Sequence, residues 1–356
     1  MSGFEQAAGD GSVRAPSSEL SGGAVLRAAR PAALSAITRP YAPPRGARVV
    51  AAVSGGGDSL ALGLLLWALA PGRGWDVVWG TVDHGLRGTR GAEDAAFVRG
   101  LAARIGVPCE VRAVAVERAP RRSPEDAART ARRAALVEIA AAAGAEAIAL
   151  GHTLDDQAET VLLRLARGTG TAGLGAMRRH APPFWRPLLD VERDELRRLL
   201  RDLGQGWRED ETNAEGRAFR NRVRNEILPL MKTRLGAGVV RCLARAALTA
   251  AEDEDFLAAS ARAAPGIVVA ETVDSAELDV AALAALPEAL SRRCVRGCCE
   301  KLSSGYKLLS AAQVRAIEEL VRGRAERRLD LGGGMTARRT TNRLLLEQRH
   351  DTEDGR

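Results

Sequence analysis

Residues 48–60, Arg48-Val49-Val50-Ala51-Ala52-Val53-Ser54-Gly55-Gly56-Gly57-Asp58-Ser59-Leu60, decide the fold. Val49–Val53 is a short apolar run that predicts a buried strand. The longer apolar run Leu60–Ala70, closed by Pro71, predicts a core helix opening at Ser59. Three glycines join the two, letting the backbone turn tightly and approach a ligand closely. The free N–H groups at a helix start, reinforced by the helix dipole, make such a turn a cradle for an anion. The hydroxyls of Ser54 and Ser59 add donors, and no Gly-Lys-Ser/Thr follows, so this is not a Walker loop.

Working outward, strands are predicted over 76–82, 109–116 and 147–150, and helices over 92–105, 123–144 and 155–167. Strands alternating with helices predict an α/β fold, a doubly wound parallel sheet, followed here by a mainly helical smaller C-terminal domain. Such sheets bind ligands beyond the carboxyl ends of their strands, where the motifs of this chain lie. After them come a Gly/Thr-rich loop at Gly168–Gly175, expected to be mobile, a helix over 191–203, and a basic helix over 219–231. The remainder is expected to be mostly helical, with a terminal β-hairpin over 329–347. The predicted organisation is a flexible segment 1–45, with a short entry helix open over Leu26–Ile37, a nucleotide-binding domain 46–215 and a substrate-binding region 216–356.

Composition narrows the function classes. Apolar residues make up 46% of 356 residues, enough for a sizeable core, and Leu60–Ala70 is shorter than the roughly 18 residues that span a bilayer. The net charge of +7 is carried almost entirely by arginine, since lysine occurs only at Lys232, Lys301 and Lys307. That balance suits a polyanionic partner, although Arg, Ala and Gly enrichment is also what GC-rich coding produces. Met1–Gly11 has no basic n-region, so no secretory signal is expected, and the odd count of five cysteines argues against a disulfide scaffold. Cys294, Cys298 and Cys299 read as small core residues, and the expected compartment is the cytoplasm.

The second motif is Gly151-His152-Thr153-Leu154-Asp155-Asp156-Gln157-Ala158-Glu159-Thr160, directly after the fourth strand. Asp155 reads as a helix cap. Asp156 and Glu159, three apart, share a helix face and suit magnesium coordination or acceptance of a proton from an amine.

The first motif resembles the SGGxDS pyrophosphate loop of the PP-loop ATP pyrophosphatases, and the second resembles the GHTxDDQAET segment of tRNA(Ile)-lysidine synthetases. Val82-Asp83-His84-Gly85-Leu86-Arg87 matches VDHGLR of that family, and Arg220-Asn221-Arg222-Val223-Arg224-Asn225-Glu226-Ile227-Leu228-Pro229 matches RNRIRHELLP, with Asn225 where His is usual. Arg186-Pro187-Leu188-Leu189 is a further match, and Ala128-Arg129 with Arg132 resembles AR-x-x-RY, with Arg133 in place of the tyrosine. The resemblance is strong over residues 48–231 and loose over 287–323, and the further C-terminal domain of longer members is expected to be missing.

The resemblance implies ATP as co-substrate with Mg2+. It implies adenylation of the C2 oxygen of the wobble cytidine in the CAU-anticodon isoleucine tRNA, and displacement of AMP by free L-lysine. It places Ser54, Gly55, Gly56, Gly57, Asp58, Ser59, Asp83, His84 and His152 at the nucleotide. Asp58, Arg129, Asp156 and Glu159 become the catalytic candidates, with Asp58 and Asp156 on the metal. Arg220, Arg222 and Arg224 are expected at the tRNA, because positions 220 and 224 share a helix face; a solvated basic face is the bland alternative. Phe184, Trp185 and Trp207 are candidates for base stacking or for core. The sequence does not fix the oligomeric state, and a homodimer is one open assembly. A tRNA thiolase is the nearest alternative, but only Cys109 lies in the predicted catalytic domain; a non-catalytic RNA-binding relict is the other, and the intact acids argue against it.

Overall fold

The computed structural model describes residues 20–39, 41–83, 89–114, 124–208, 219–302, 309–323 and 327–349. In chain order the elements are α1 (Gly22–Ala28), α2 (Pro31–Thr38), β1 (Arg48–Ala52), α3 (Gly57–Arg73), β2 (Asp76–Asp83), α4 (Thr89–Arg104), β3 (Cys109–Ala113), α5 (Pro124–Ala143), β4 (Ala147–Leu150), α6 (Leu154–Ala166), α7 (Thr171–Leu174), β5 (His180–Ala181), β6 (Phe184–Trp185) and α8 (Arg193–Asp202). There follow α9 (Phe219–Arg222), a π-helical turn (Val223–Ile227), α10 (Leu228–Leu235), α11 (Val239–Ala263), β7 (Val268–Glu271), β8 (Ser275–Asp279), α12 (Val280–Ala285), α13 (Glu288–Leu302), α14 (Ala311–Arg322), β9 (Arg327–Gly332), β10 (Met335–Arg339) and β11 (Arg343–Gln348). His84, Gly85, Leu86, Arg87 and Lys307, named above, lie outside the described residues.

Two compact units result: residues 1–167 with 176–247, and residues 168–175 with 248–356. The first holds a sheet of order β3-β2-β1-β4-β6-β5, parallel throughout except for the antiparallel β5–β6 pair. Because side chains alternate along a strand, Val49 and Ala51 of β1 enter the core formed with α3, α4 and α8, while Val50 enters the core formed with Leu136 and Ile139 of α5. Both faces of the central strands are therefore covered, which is why they read as unbroken apolar runs.

Two differences from the sequence reading concern this unit. Part of segment 1–45, expected to be flexible, forms α1 and α2, because Val25, Ala33 and Ile37 are buried in the core. The arginine helix, grouped by composition with the C-terminal region, packs in the first unit: Val223 and Leu228 share a small core with Leu154 and Ala158 of α6.

In the second unit, all five strands pair antiparallel in the order β7-β8-β11-β10-β9. Leu278, Leu344 and Leu346 from this sheet pack against Val295, Cys298 and Cys299 of α13 and Ile317 of α14. The expected terminal hairpin is thus three strands of a larger sheet. The Gly/Thr-rich loop, expected to be mobile, belongs to this unit: Thr171 Oγ1 donates to Glu254 Oε2 at 2.8 Å and accepts from Arg293, which also pairs with Glu254. No helix among the described residues is long and apolar enough to cross a membrane.

Candidate active site

The loop after β1 closes on itself. Ser54 N–H donates to Ser59 Oγ at 3.1 Å, the two hydroxyls lie 3.1 Å apart, and Ser59 Oγ donates to the Gly56 carbonyl at 2.9 Å. Gly55 takes φ +87°, in the left-handed region open to glycine, and its carbonyl accepts the Arg208 N–H at 3.0 Å. The end of β4 comes up against this loop. A Cβ on Gly151 would stand 2.9 Å from Ser59 Cα and 3.1 Å from the Asp58 carbonyl, so the second motif can meet the first only through a glycine there.

A cavity of about 410 Å3 opens between them, within the first unit. One side is apolar, formed by Ala52, Val53, Val82 and Leu150 at the carboxyl ends of β1, β2 and β4, with Leu136 of α5. The other is polar, formed by Ser54, Gly56, Gly57, Asp58 and Ser59 with Arg193, Arg197, Trp207, Arg208 and Arg224; His152 and Arg132 complete the lining.

Beneath the polar side, one arginine ties the two motifs together. Arg193 Nε donates to Asp58 Oδ2 at 3.0 Å, and its Nη2 donates to Asp156 Oδ1 at 2.9 Å and Glu159 Oε1 at 3.2 Å. The backbone N–H of Arg193 donates to Asp155 Oδ2 at 2.9 Å, so Asp155 caps α8, not its own helix. The cap of α6 is Thr153, whose box is completed by Asp156: Asp156 Oδ2 accepts from the Thr153 N–H and hydroxyl, both at 2.9 Å.

Glu159, with no exposed surface, also accepts from Arg224 Nε at 2.7 Å and Arg220 Nε at 3.1 Å. The acids Asp58, Asp155, Asp156 and Glu159 are met by Arg193, Arg220, Arg224 and Lys232, so charge is balanced within the cluster. Burial pushes the Asp156 carboxyl up, but Arg193, His152 and Arg224 together hold it well below the usual carboxylate range. Burial prevails at Asp58, whose carboxyl is raised against the pull of Arg193, and its Oδ1 is buried without a hydrogen-bond partner. Burial pushes the His152 imidazole down to about 3, so it is neutral, and its Nδ1 is likewise buried without a partner.

The remaining candidate residues are placed as follows. Arg220 and Arg224 do share a helix face, but that face turns inward to Glu159; of the three, only Arg222 is exposed, with its guanidinium 5.7 Å from the ring centre of Phe219. Arg129 is exposed on α5 and does not line the cavity; Arg132, one turn on and in register with Leu136, does. Burial and repulsion from Arg129 and Arg133 lower the affinity of Arg132 for its proton, which leaves it a ready acceptor of an anion. Asp83 ends β2 one residue beyond the lining Val82 and does not itself line the cavity. Phe184 and Trp185 are core residues, with Arg133 stacked 4.4 Å from the Phe184 ring centre; Trp207 alone of the three aromatic candidates reaches the cavity. Sequence reasoning missed Arg193 and Arg197. Their signal was arginine spacing of four on the helix whose Leu196 and Leu200 are buried.

Residues 31–231 match the family model described as PP-loop domain, and residues 278–345 match the TilS substrate binding domain. The chain is 39% identical over 306 residues to the tRNA(Ile)-lysidine synthase of Thermobifida fusca, covering 85% of this chain and 92% of that one. The chain belongs to the tRNA(Ile)-lysidine synthase family. The corresponding protein of Symbiobacterium thermophilum is 40% identical over 306 residues, which span 82% of this chain and 63% of that longer relative. A solved structure of a U34-tRNA thiolase from Methanococcus maripaludis shares the fold with a TM-score of 0.53, at 19% identity over 62% of this chain and 77% of that one. Every residue that lines the cavity falls within the PP-loop match.

Proposed function

We propose that this chain converts the wobble cytidine of the CAU-anticodon isoleucine tRNA to lysidine in two steps within the cavity. In the first, the cytosine C2 oxygen attacks the α-phosphorus of ATP, the bond to the β-phosphate breaks and pyrophosphate leaves. In the second, the ε-amine of free lysine attacks C2, and AMP leaves with the oxygen. The observation that carries this reading is the Arg193 bridge, which ties Asp58, a lining residue of the cavity, to the buried Asp156/Glu159 pair of α6.

Each side of the cavity has its task. The apolar slot at Val82, Leu136 and Leu150 suits the adenine ring, and the Ser54–Ser59 turn suits the departing pyrophosphate. Arg132, uncompensated at the junction of slot and loop, suits the charge that grows on the α-phosphate. The neutral His152 offers an unpaired acceptor nitrogen to the incoming amine.

Magnesium fits Asp58 and not Asp156. The unpartnered Oδ1 of Asp58 is a buried oxygen in need of a cation, whereas both oxygens of Asp156 are taken by Thr153 and by Arg193 and Arg224. One carboxylate with phosphate oxygens and waters is a common magnesium shell, and no cage of three or more His, Cys, Asp or Glu occurs among the described residues. A bound magnesium ion would supply charge neutralisation at the phosphates. Thiolation finds no support: burial pushes the Cys109 thiol up to about 11, away from the reactive thiolate form, and Cys109 does not line the cavity. A reaction drawing on tRNA, ATP and free lysine belongs in the cytoplasm.

Incubation with ATP, labelled lysine and the tRNA transcript, followed by nucleoside analysis, tests the reading. ATP-dependent label in a modified cytidine is expected; AMP release without transfer of label to the tRNA would overturn it.

A further inference from the structure

The arginines around the phosphate loop differ in how they are committed. Arg193 spends its guanidinium on Asp58, Asp156 and Glu159. Arg224 spends its own on Asp156 and Glu159, and Arg208 lies 3.6 Å from Asp94. Arg197 forms no ion pair among the described residues, yet it lines the cavity, and its Nε is buried without a hydrogen-bond partner. An arginine nitrogen removed from water and left unbonded is costly, and such a group is tolerated where a ligand completes it.

The helix explains why the side chain stands there. Four residues after Arg193 on α8, Arg197 falls on the same face as Arg193, and the adjacent Leu196 and Leu200 are buried in the core. Its charge acts on Asp58, the loop acid, and Asp58 already has its Oδ2 filled by Arg193. Arg197 therefore acts at the acid of the pyrophosphate turn, whereas Arg132, one turn from Leu136 on α5, is assigned above to the α-phosphate.

We propose that Arg197 is a binding residue for the β- and γ-phosphates of the nucleotide, and hence for the pyrophosphate product, with its planar fork completed by phosphate oxygens. Arg193 then acts as a positioning residue, keeping the acids of α3 and α6 fixed while Arg197 takes the ligand. This rests on the ATP reading above, and the test separates the two.

Inorganic pyrophosphate and AMP are titrated separately, each with magnesium, into the full chain and into R197Q and R197K, and the KM for ATP is measured in parallel. R197Q is expected to weaken pyrophosphate binding and raise the KM for ATP by about 10- to 100-fold, the loss of one charge-assisted interaction, with AMP affinity unchanged. R197K, which keeps the charge but not the fork, is expected to recover part of the pyrophosphate affinity. Unchanged pyrophosphate affinity in R197Q overturns the assignment of Arg197 alone, as does an equal loss of AMP and pyrophosphate in both variants, which marks a packing role. A wild-type chain that binds neither ligand overturns the nucleotide reading with it.

Discussion

At the scale of the residue, Asp58 and His152 each hold one buried side-chain atom without a hydrogen-bond partner, and desolvation pushes both toward their neutral forms. Burial raises the Asp58 carboxyl against the pull of Arg193, and one of its oxygens is buried without a hydrogen-bond partner. Removing it should cost the reaction much and the fold little, because Arg193 retains Asp156 and Glu159. Asp58→Ala should lower AMP formation by about 10²- to 10³-fold, the scale of a lost electrostatic contact to a reacting group, with the unfolding midpoint preserved. Unchanged turnover would remove Asp58 from the phosphate site. His152 instead gives up its proton. Its folded value of about 3 lies below the ordinary 6.5 of a free imidazole, so the unfolded chain binds more protons between the two. Stability from this residue is fully present above pH 6.5 and is lost as pH falls toward 3, with a slope of at most about 1.4 kcal/mol per pH unit for one proton. His152→Asn should flatten stability between pH 6.5 and the carboxylate range, as read by denaturant titrations at successive pH values; an unaltered slope there would show that His152 is not buried neutral.

The same scale shows what was legible in the sequence. The Ser54–Ser59 turn was readable because its hydrogen bonds join residues at most five apart. Arg193 was not, because its partners lie 135, 37 and 34 residues away and nothing in Arg193-Asp194-Glu195-Leu196 distinguishes it from a solvated helix turn. Arg129 was preferred over Arg132 on family pattern alone, and only the register of α5 against the sheet separates them.

At the scale of the element, the arginine segment departs most from its sequence reading. A continuous helix over 219–231 would place the Pro229 ring against the carbonyl of Asn225. The chain widens there into a π-turn, with the Leu228 N–H bonded to the Val223 carbonyl, and α10 restarts with Pro229 in its first turn. The turn carries Arg224 into the buried Glu159, beside Arg220 from α9. Arg220→Ala with Arg224→Ala should therefore destabilise the first unit by about 3–5 kcal/mol, the cost of stripping partners from a buried charge, and should lower ATP turnover and tRNA binding together. Adding Glu159→Gln should restore part of that stability by removing a buried charge that keeps Arg193 but has lost two of its three ion pairs. Chemical denaturation checks both; a stable double variant with selective loss of tRNA binding would return these arginines to an outward face. The strands β7 and β8 escaped the sequence reading for a related reason. Ser275–Asp279 contains Ala, Glu and Leu, good helix formers, and only pairing with β11 makes a strand of them.

At the scale of the whole molecule, the charge of +7 acquires an address only after subtraction. Arg193, Arg220, Arg224 and Lys232 are neutralised by acids of the first unit, and Arg293 by Glu254 in the second, so these cations contribute little to attraction of a polyanion. Pairing removes these cations together with as many acids, so the excess of +7 rests on the other residues, and Arg222, exposed in the arginine segment, is a candidate phosphate contact. The affinity for tRNA should fall linearly with salt on logarithmic axes, by a slope of about 0.7–0.9 for each phosphate neutralised. Arg222→Ala should reduce that slope by about 1 and leave the KM for ATP unchanged, because the residue stands away from the cavity lining. Filter-binding titrations across a salt series measure it. An Arg222→Ala slope equal to that of the parent chain would mean that the basic face is merely solvated there, and that the tRNA is gripped by other residues.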